Sequence, residues 1–168
     1  MTTIAKNVRI GAPKERVWKL LADLGGVVNY HPFVTNSYYE TEQESGAGAS
    51  RVCEFGPDSA VQERAIEWKE GKSYTLAIDF TKGRKPPIQN QRARVSVREA
   101  GGGTLAAIEM SYEPKFGPAG ALMDRFVMRP RFEKLLSGVM AGLKHHAETG
   151  EPIDRGFLER AGVTPSAA

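Results

Sequence analysis

Residues able to do covalent or metal chemistry are few in this chain, and their spacing narrows the choice further. The histidines are His31, His145 and His146, and Cys53 is the single cysteine. That set offers no pair of ligands at zinc-finger or ribbon spacing, and adjacent His145 and His146 would point about 100° apart on a helix, too divergent to share an ion. Both fall where a helix would end, and imidazoles there interact favourably with its dipole. Cys53 lies in a strand-like run with no base beside it, so the thiol reads as a small buried hydrophobe; no Gly-x-Ser-x-Gly elbow occurs elsewhere. Gly101-Gly102-Gly103 leads into a strand-like run and lacks the helix N-terminus that would attract phosphate. These residues point to no metal site, no cofactor and no covalent nucleophile.

Three side chains remain as candidates for proton transfer or ligand recognition. His31 stands between Tyr30 and Pro32, where a titratable imidazole can act as general acid or base, hydrogen-bond a ligand oxygen, or simply help Pro32 shape a turn. Tyr112 would assist it in proton transfer. Arg64 is in phase with Ile66 and Trp68, while Glu63 is in phase with Ala65 and Glu67. If Ile66 and Trp68 face inward, so does Arg64, and a buried guanidinium requires a carboxylate partner or an anionic ligand. The alternative places Arg64 near a strand end, reaching solvent or pairing across strands with a glutamate such as Glu109.

The elements that must hold these groups follow from periodicity. Residues 2–10 alternate as a strand with one buried face, and Gly11 ends it. Ala12-Pro13 opens a helix with Val17, Leu20, Leu21 and Leu24 at helical spacing, expected to stop at Gly25-Gly26. A short second helix at residues 27–30 ends at His31-Pro32. The period then becomes two, and turn signals divide residues 33–112 into six strands near 33–42, 49–55, 61–70, 72–81, 90–99 and 104–112. Their short connections imply an antiparallel meander. In the last helix, residues 117–149, Phe132, Leu135, Leu136, Val139, Met140 and Leu143 share one face that must be buried. Leu122, Met123, Phe126 and Val127 continue the pattern, and Pro130 predicts a kink near Phe126.

At 168 residues and net charge +3 the chain suits one domain, residues 1–150, followed by a tail at 151–168 expected to be loosely packed or disordered. Its cations are scattered rather than gathered with aromatics, so nucleic acid is not an expected partner. No stretch is apolar enough for a membrane span. One cysteine and an N-terminus unlike a signal peptide favour the cytoplasm. Monomer and homodimer both remain open.

The order strand, helix, short helix, six strands, long helix resembles the START-like (SRPBCC) superfamily, in particular its polyketide cyclase/dehydrase and lipid transport type. The resemblance rests on Val8-Arg9-Ile10-Gly11-Ala12-Pro13-Lys14-Glu15-Arg16-Val17-Trp18, on Asn29-Tyr30-His31-Pro32 and on Leu143-Lys144-His145-His146-Ala147-Glu148-Thr149-Gly150. It implies an α+β helix-grip fold: a curved antiparallel seven-stranded sheet wrapped around a long C-terminal helix, with two short helices after the first strand. It also implies a cavity between sheet and helix for hydrophobic or amphipathic molecules such as lipids, sterols or polyketides, with Tyr30 and His31 near its mouth. Tyr74, Ile78 and Phe80 share one strand face and Met110 and Tyr112 another, so these would line it with Arg64 and Trp68. Met123 and Phe126 would form part of the entrance, and Met110, Met123 and Met140 would let the site adapt to ligand shape. A core filled by side chains is the alternative. The expected function is binding of a hydrophobic small molecule, with its transport as an extension; the alternatives are a cyclase or dehydratase-like enzyme and a ligand-free stress-associated or partner-interaction module.

Overall fold

The computed structural model describes residues 1–154 and 156–162. Seven strands form one antiparallel sheet in the order β1-β7-β6-β5-β4-β3-β2. β1 spans Thr2–Ile10, β2 Asn36–Tyr39, β3 Ser50–Glu54, β4 Ala60–Lys69, β5 Ser73–Lys82, β6 Ile88–Ala100 and β7 Gly103–Pro114. β2 to β7 run as a meander, and β1 closes on β7 with Val8 opposite Ala106. Between β1 and β2 the chain crosses from one edge of the sheet to the other through helix α1, Lys14–Ala22, and a 3₁₀ turn, Gly25–Asn29. α1 buries Val17, Trp18 and Leu21.

The closing helix is continuous from Gly117 to Thr149 but changes pitch: α2 covers Gly117–Met123, a π turn Asp124–Met128, and α3 Arg129–Thr149. Pro130 has no N–H for the Phe126 carbonyl, and the helix widens immediately before it, where the sequence predicts a kink. α3 buries Leu136, Val139, Met140, Leu143 and Ala147, and Gly150 terminates it in the left-handed conformation at φ 79°. This is the α+β helix-grip architecture that the element order implies.

Several boundaries differ from the expected ones. Gly25-Gly26 belongs to the 3₁₀ turn rather than ending a helix, because the Gly25 N–H donates to Tyr39 Oη at 2.8 Å and any Cβ there would crowd that ring. β2 is shorter than residues 33–42, and Phe33 turns inward from the preceding loop. The described part of the tail departs from the loosely packed or disordered one expected: the Ile153 N–H donates to the Asn29 carbonyl at 2.9 Å, and Leu158 of helix α4, Phe157–Arg160, is buried near Gly138. Residues 155 and 163–168, which that expectation also covered, lie outside the described residues.

Arg64 faces solvent. The parity that paired it with Trp68 breaks at a β-bulge: Ala65 lies opposite Leu76 and Glu67 opposite Thr75, leaving Ile66 unpaired. Val61, Glu63 and Ala65 therefore share the inner side before the bulge, Trp68 returns to it afterwards, and Ile66 is exposed. Glu109 cannot pair with Arg64, for it stands on β7 between Ala5 and Arg94.

Candidate functional site

The concave face of the sheet and α3 do not meet everywhere. Between them lies a cavity of about 390 Å³, walled mainly by Leu76, Ile78, Phe80, Val95 and Ile108 from the sheet and by Phe132, Leu136 and Met140 from the helix. Leu21, Val27, Tyr30, His31 and Phe33 close it from the α1 side. Its position depends on two glycines one turn apart. A Cβ on Gly142 would collide with the Tyr30 carbonyl oxygen, and one on Gly138 would press on Pro32 and Leu158 at 3.2 Å. Bare backbone on this side of α3 lets the Tyr30-His31-Pro32 turn lie against the helix and aim its rings inward.

The cavity is mostly apolar, and its charged and amide side chains lie at two places. At the first, Arg51 of β3, 4% exposed, stands opposite Glu63 of β4. Its Nη2 and Nε reach Glu63 Oε2 at 2.6 and 2.7 Å, and Nη1 donates to the Leu24 carbonyl. Burial, the largest single influence, works against the guanidinium charge, but the Glu63 carboxylate together with Cys53, Tyr30 and Tyr74 outweighs it and holds the Arg51 pKa above its ordinary value. Both arginine contacts and the Cys53 thiol, at 3.5 Å, fall on Oε2; among the described residues no hydrogen bond reaches Oε1. Burial and then Glu63 push Cys53 up to about 12, so it stays a neutral thiol and not a nucleophile.

Around this pair stand Tyr30, Tyr74 and His31. Burial pushes Tyr30 up to about 12 and Tyr74 well above the phenol range. The half-buried His31 ring lies edge-on to Phe33 and Phe55, with centroids 6.3 and 5.7 Å away. Burial lowers its pKa to about 4, so the imidazole is neutral near pH 7. Nδ1 accepts the Phe33 N–H at 3.2 Å, which assigns the remaining ring proton to Nε2.

The second polar place is Gln91 on β6. A bulge between Gln89 and Arg92, with Asn90 in the left-handed region at φ 53°, turns Gln91 onto the inner side. Gln91 is 7% exposed; its Nε2 lies 3.6 Å from Met110 Sδ, and its buried Oε1 has no hydrogen-bond partner among the described residues. Glu63 is opposite Ile78, and the neighbouring Ala77 is opposite Arg92, so the two polar places are two strand spacings apart, roughly 10 Å.

Of the residues expected at the site, Tyr30, His31, Tyr74, Ile78, Phe80, Met110 and Met140 line the cavity. Five do not. Arg64 is turned out by the bulge. Trp68 stacks on Tyr74 at 5.1 Å and donates, like Trp18, to Glu70, so it supports the wall from behind. Tyr112 is fully buried beside Phe132 and donates to Asp124 Oδ1 at 2.5 Å, while Thr2 Oγ1 donates to Oδ2 at 2.7 Å. Its hydroxyl anchors the closing helix to the sheet instead of facing a ligand. Met123 and Phe126 are exposed, because Gly120 and Asp124 form the inner side of that stretch. Arg51, Glu63 and Gln91 were not among the expected residues. Glu63 is in phase with Val61 and Ala65, a signal parity offered, whereas Gln91 depends on a bulge.

A family model matches residues 1–148. The chain belongs to the polyketide cyclase / dehydrase and lipid transport family. Curated protein sequences contain no match to it. Solved structures similar to this polyketide cyclase/dehydrase-family chain include TTHA0849 from Thermus thermophilus, 19% identical with a TM-score of 0.68, covering 87% of this chain and 97% of that one. XoxI from Bacillus cereus is 17% identical with a TM-score of 0.67, covering 86% and 94%. DynU16, a protein in the dynemicin biosynthetic locus, is 16% identical with a TM-score of 0.64, covering 89% of this chain and 48% of that one. At such identities the likeness concerns the fold. Among the described residues of this family member no group of three or more His, Cys, Asp or Glu side chains could hold a metal, and no helix is long and apolar enough to cross a membrane.

Proposed function

We propose that the protein binds a hydrophobic small molecule with uncharged polar groups, and holds it without covalent chemistry. The observation that carries this reading is the apolar cavity of about 390 Å³, within the size range of small-molecule sites, with a closed ion pair at one place and an unpartnered amide oxygen at the other. Glu63 already neutralises Arg51, so a ligand carboxylate would meet no net positive charge and would face the Glu63 carboxylate. A hydroxyl or phenol suits both places: it can accept from a cavity donor such as His31 and donate to Gln91 Oε1. The ligand class is therefore a neutral, oxygenated polyketide-like or lipid-like molecule rather than a free fatty acid.

An enzymatic cyclase or dehydratase reading finds less support. Proton transfer is most efficient when the group's pKa lies near the working pH, whereas His31 sits at about 4 and Tyr30 at about 12. Native mass spectrometry of protein purified without detergent, followed by thermal-shift titration with paired fatty alcohols and fatty acids and with neutral aromatic polyketides, tests the binding reading. A saturating ligand at about 100 times its Kd adds about 2.7 kcal/mol of stability. We expect shifts from neutral members of each pair. No shift with any compound sinks the binding reading, and a stronger shift with acids than alcohols sinks the assignment of a neutral ligand.

A further inference from the structure

Among the described residues nine large apolar side chains are exposed, and five of them, Phe116, Leu122, Met123, Phe126 and Val127, fall within one short stretch that opens the closing helix. Leu122 and Phe126 are one turn apart, as are Met123 and Val127, so they form a continuous outward strip while Gly120 and Asp124 face inward. Phe116, at the corner between β7 and α2, is 74% exposed and held at φ 69°, a conformation that bulky side chains adopt only under strain. Phe116, Leu122 and Phe126, each more than three-fifths exposed, contribute little to the core of a folded monomer.

The charges beside the strip have one sign. Lys115, Arg125, Arg129 and Arg131 are exposed. The one acidic residue between positions 115 and 131 is Asp124, buried and already bonded by Tyr112 and Thr2. Arg129 has Glu133 at 3.2 Å, whereas Lys115, Arg125 and Arg131 have no carboxylate partner among the described residues. Two copies meeting symmetrically on this face would bring cation against cation, which disfavours a homodimer as occupant. Apolar side chains flanked by arginines are instead the chemistry of an interfacial helix, which buries its apolar side below the headgroups while long cations reach the lipid phosphates.

We propose that residues 115–131 are a docking surface for a bilayer containing anionic lipids, lying flat on it with Phe116, Leu122 and Phe126 inserted. The inference is independent of what occupies the cavity, although Phe132 and Leu135, which follow this segment directly, belong to the cavity wall. The test is co-sedimentation of the full chain with vesicles of phosphatidylcholine alone and of phosphatidylcholine containing phosphatidylserine, at low and high salt. Binding is expected with phosphatidylserine, weaker at high salt and weaker still without anionic lipid. Arg125→Gln should lower the affinity about fivefold, the effect of removing one cation at an anionic surface. The double variant Leu122→Ser/Phe126→Ser should lower it more than tenfold while leaving the melting temperature unchanged, since both side chains are exposed. Should that variant prove unstable, Lys115→Gln/Arg125→Gln carries the test in its place. Absence of sedimentation with anionic vesicles overturns the proposal. So does full binding by the apolar variant, or self-association of the wild type that the same variant abolishes without vesicles present.

Discussion

At the scale of single residues, the Arg51–Glu63 pair decides the character of the cavity, and its energetics are asymmetric. Two buried charges cost much to desolvate, and their attraction offsets that cost only while both are present. Glu63→Gln should therefore destabilise the protein by about 3–5 kcal/mol in urea unfolding, whereas Arg51→Met/Glu63→Leu should recover most of the loss. Equal destabilisation by the single and double variants would show that packing, not charge pairing, is what the site needs. His31 makes a different prediction. Its folded pKa of about 4 lies below the ordinary 6.5, so as pH falls the unfolded chain takes up this proton first. The stability tied to the neutral ring is complete above about pH 6.5 and is lost progressively as pH falls toward 4, by about 2–3 kcal/mol. Because carboxylates also titrate in that window, the check is the difference between wild type and His31→Gln. The variant should show the flatter profile, and parallel profiles would refute the buried-imidazole account.

At the scale of elements, α3 is shaped as much by what it lacks as by what it buries. Its apolar face, Leu136, Val139, Met140 and Leu143, is legible from spacing, but Gly138 and Gly142 look like helix-weakening residues until the Tyr30-His31-Pro32 turn is seen against them. Alanine favours helix over glycine by up to about 1 kcal/mol, so local propensity predicts that Gly142→Ala stabilises. The collision with the Tyr30 carbonyl predicts the reverse: a loss of about 1–3 kcal/mol, as overpacking typically costs, with displacement of Tyr30 and weakened ligand binding. Chemical denaturation settles the sign. The π turn before Pro130 is a similar case, since the proline announces a disturbance while the way the helix absorbs it depends on the Tyr112–Asp124–Thr2 anchor to the sheet.

At the scale of the whole molecule, the sheet curves away from α3 and leaves unfilled space that a tightly packed core would close. Ala93 faces that space from β6. Ala93→Leu should raise the melting temperature of the ligand-free protein, with a gain of about 0.5–2 kcal/mol as for cavity-filling substitutions, and should abolish ligand-induced shifts. A core already full would respond oppositely, losing about 1–3 kcal/mol through overpacking. The variant thus separates a true cavity from a filled interior by the sign of one measurement.

Helix and strand identities, the antiparallel meander and the buried face of the last helix were determined by the sequence, because periods of 3.6 and 2 are local properties that survive without knowledge of partners. So were the inward positions of Tyr74, Ile78, Phe80 and Met110, which lie on uninterrupted alternation. Local alternation failed wherever a bulge inserted one residue: Ile66 sent Arg64 outward and returned Trp68 inward, and Asn90 turned Gln91 into the cavity. Met123 and Phe126 continue an apolar pattern, but the Tyr112–Asp124–Thr2 anchor turns Gly120 and Asp124 toward the sheet, so their exposure is decided by which side of the helix that anchor holds inward. Which guanidinium is buried, and which carboxylate neutralises it, was decided by strand register alone, because Arg51 and Glu63 become neighbours only when β3 and β4 pair.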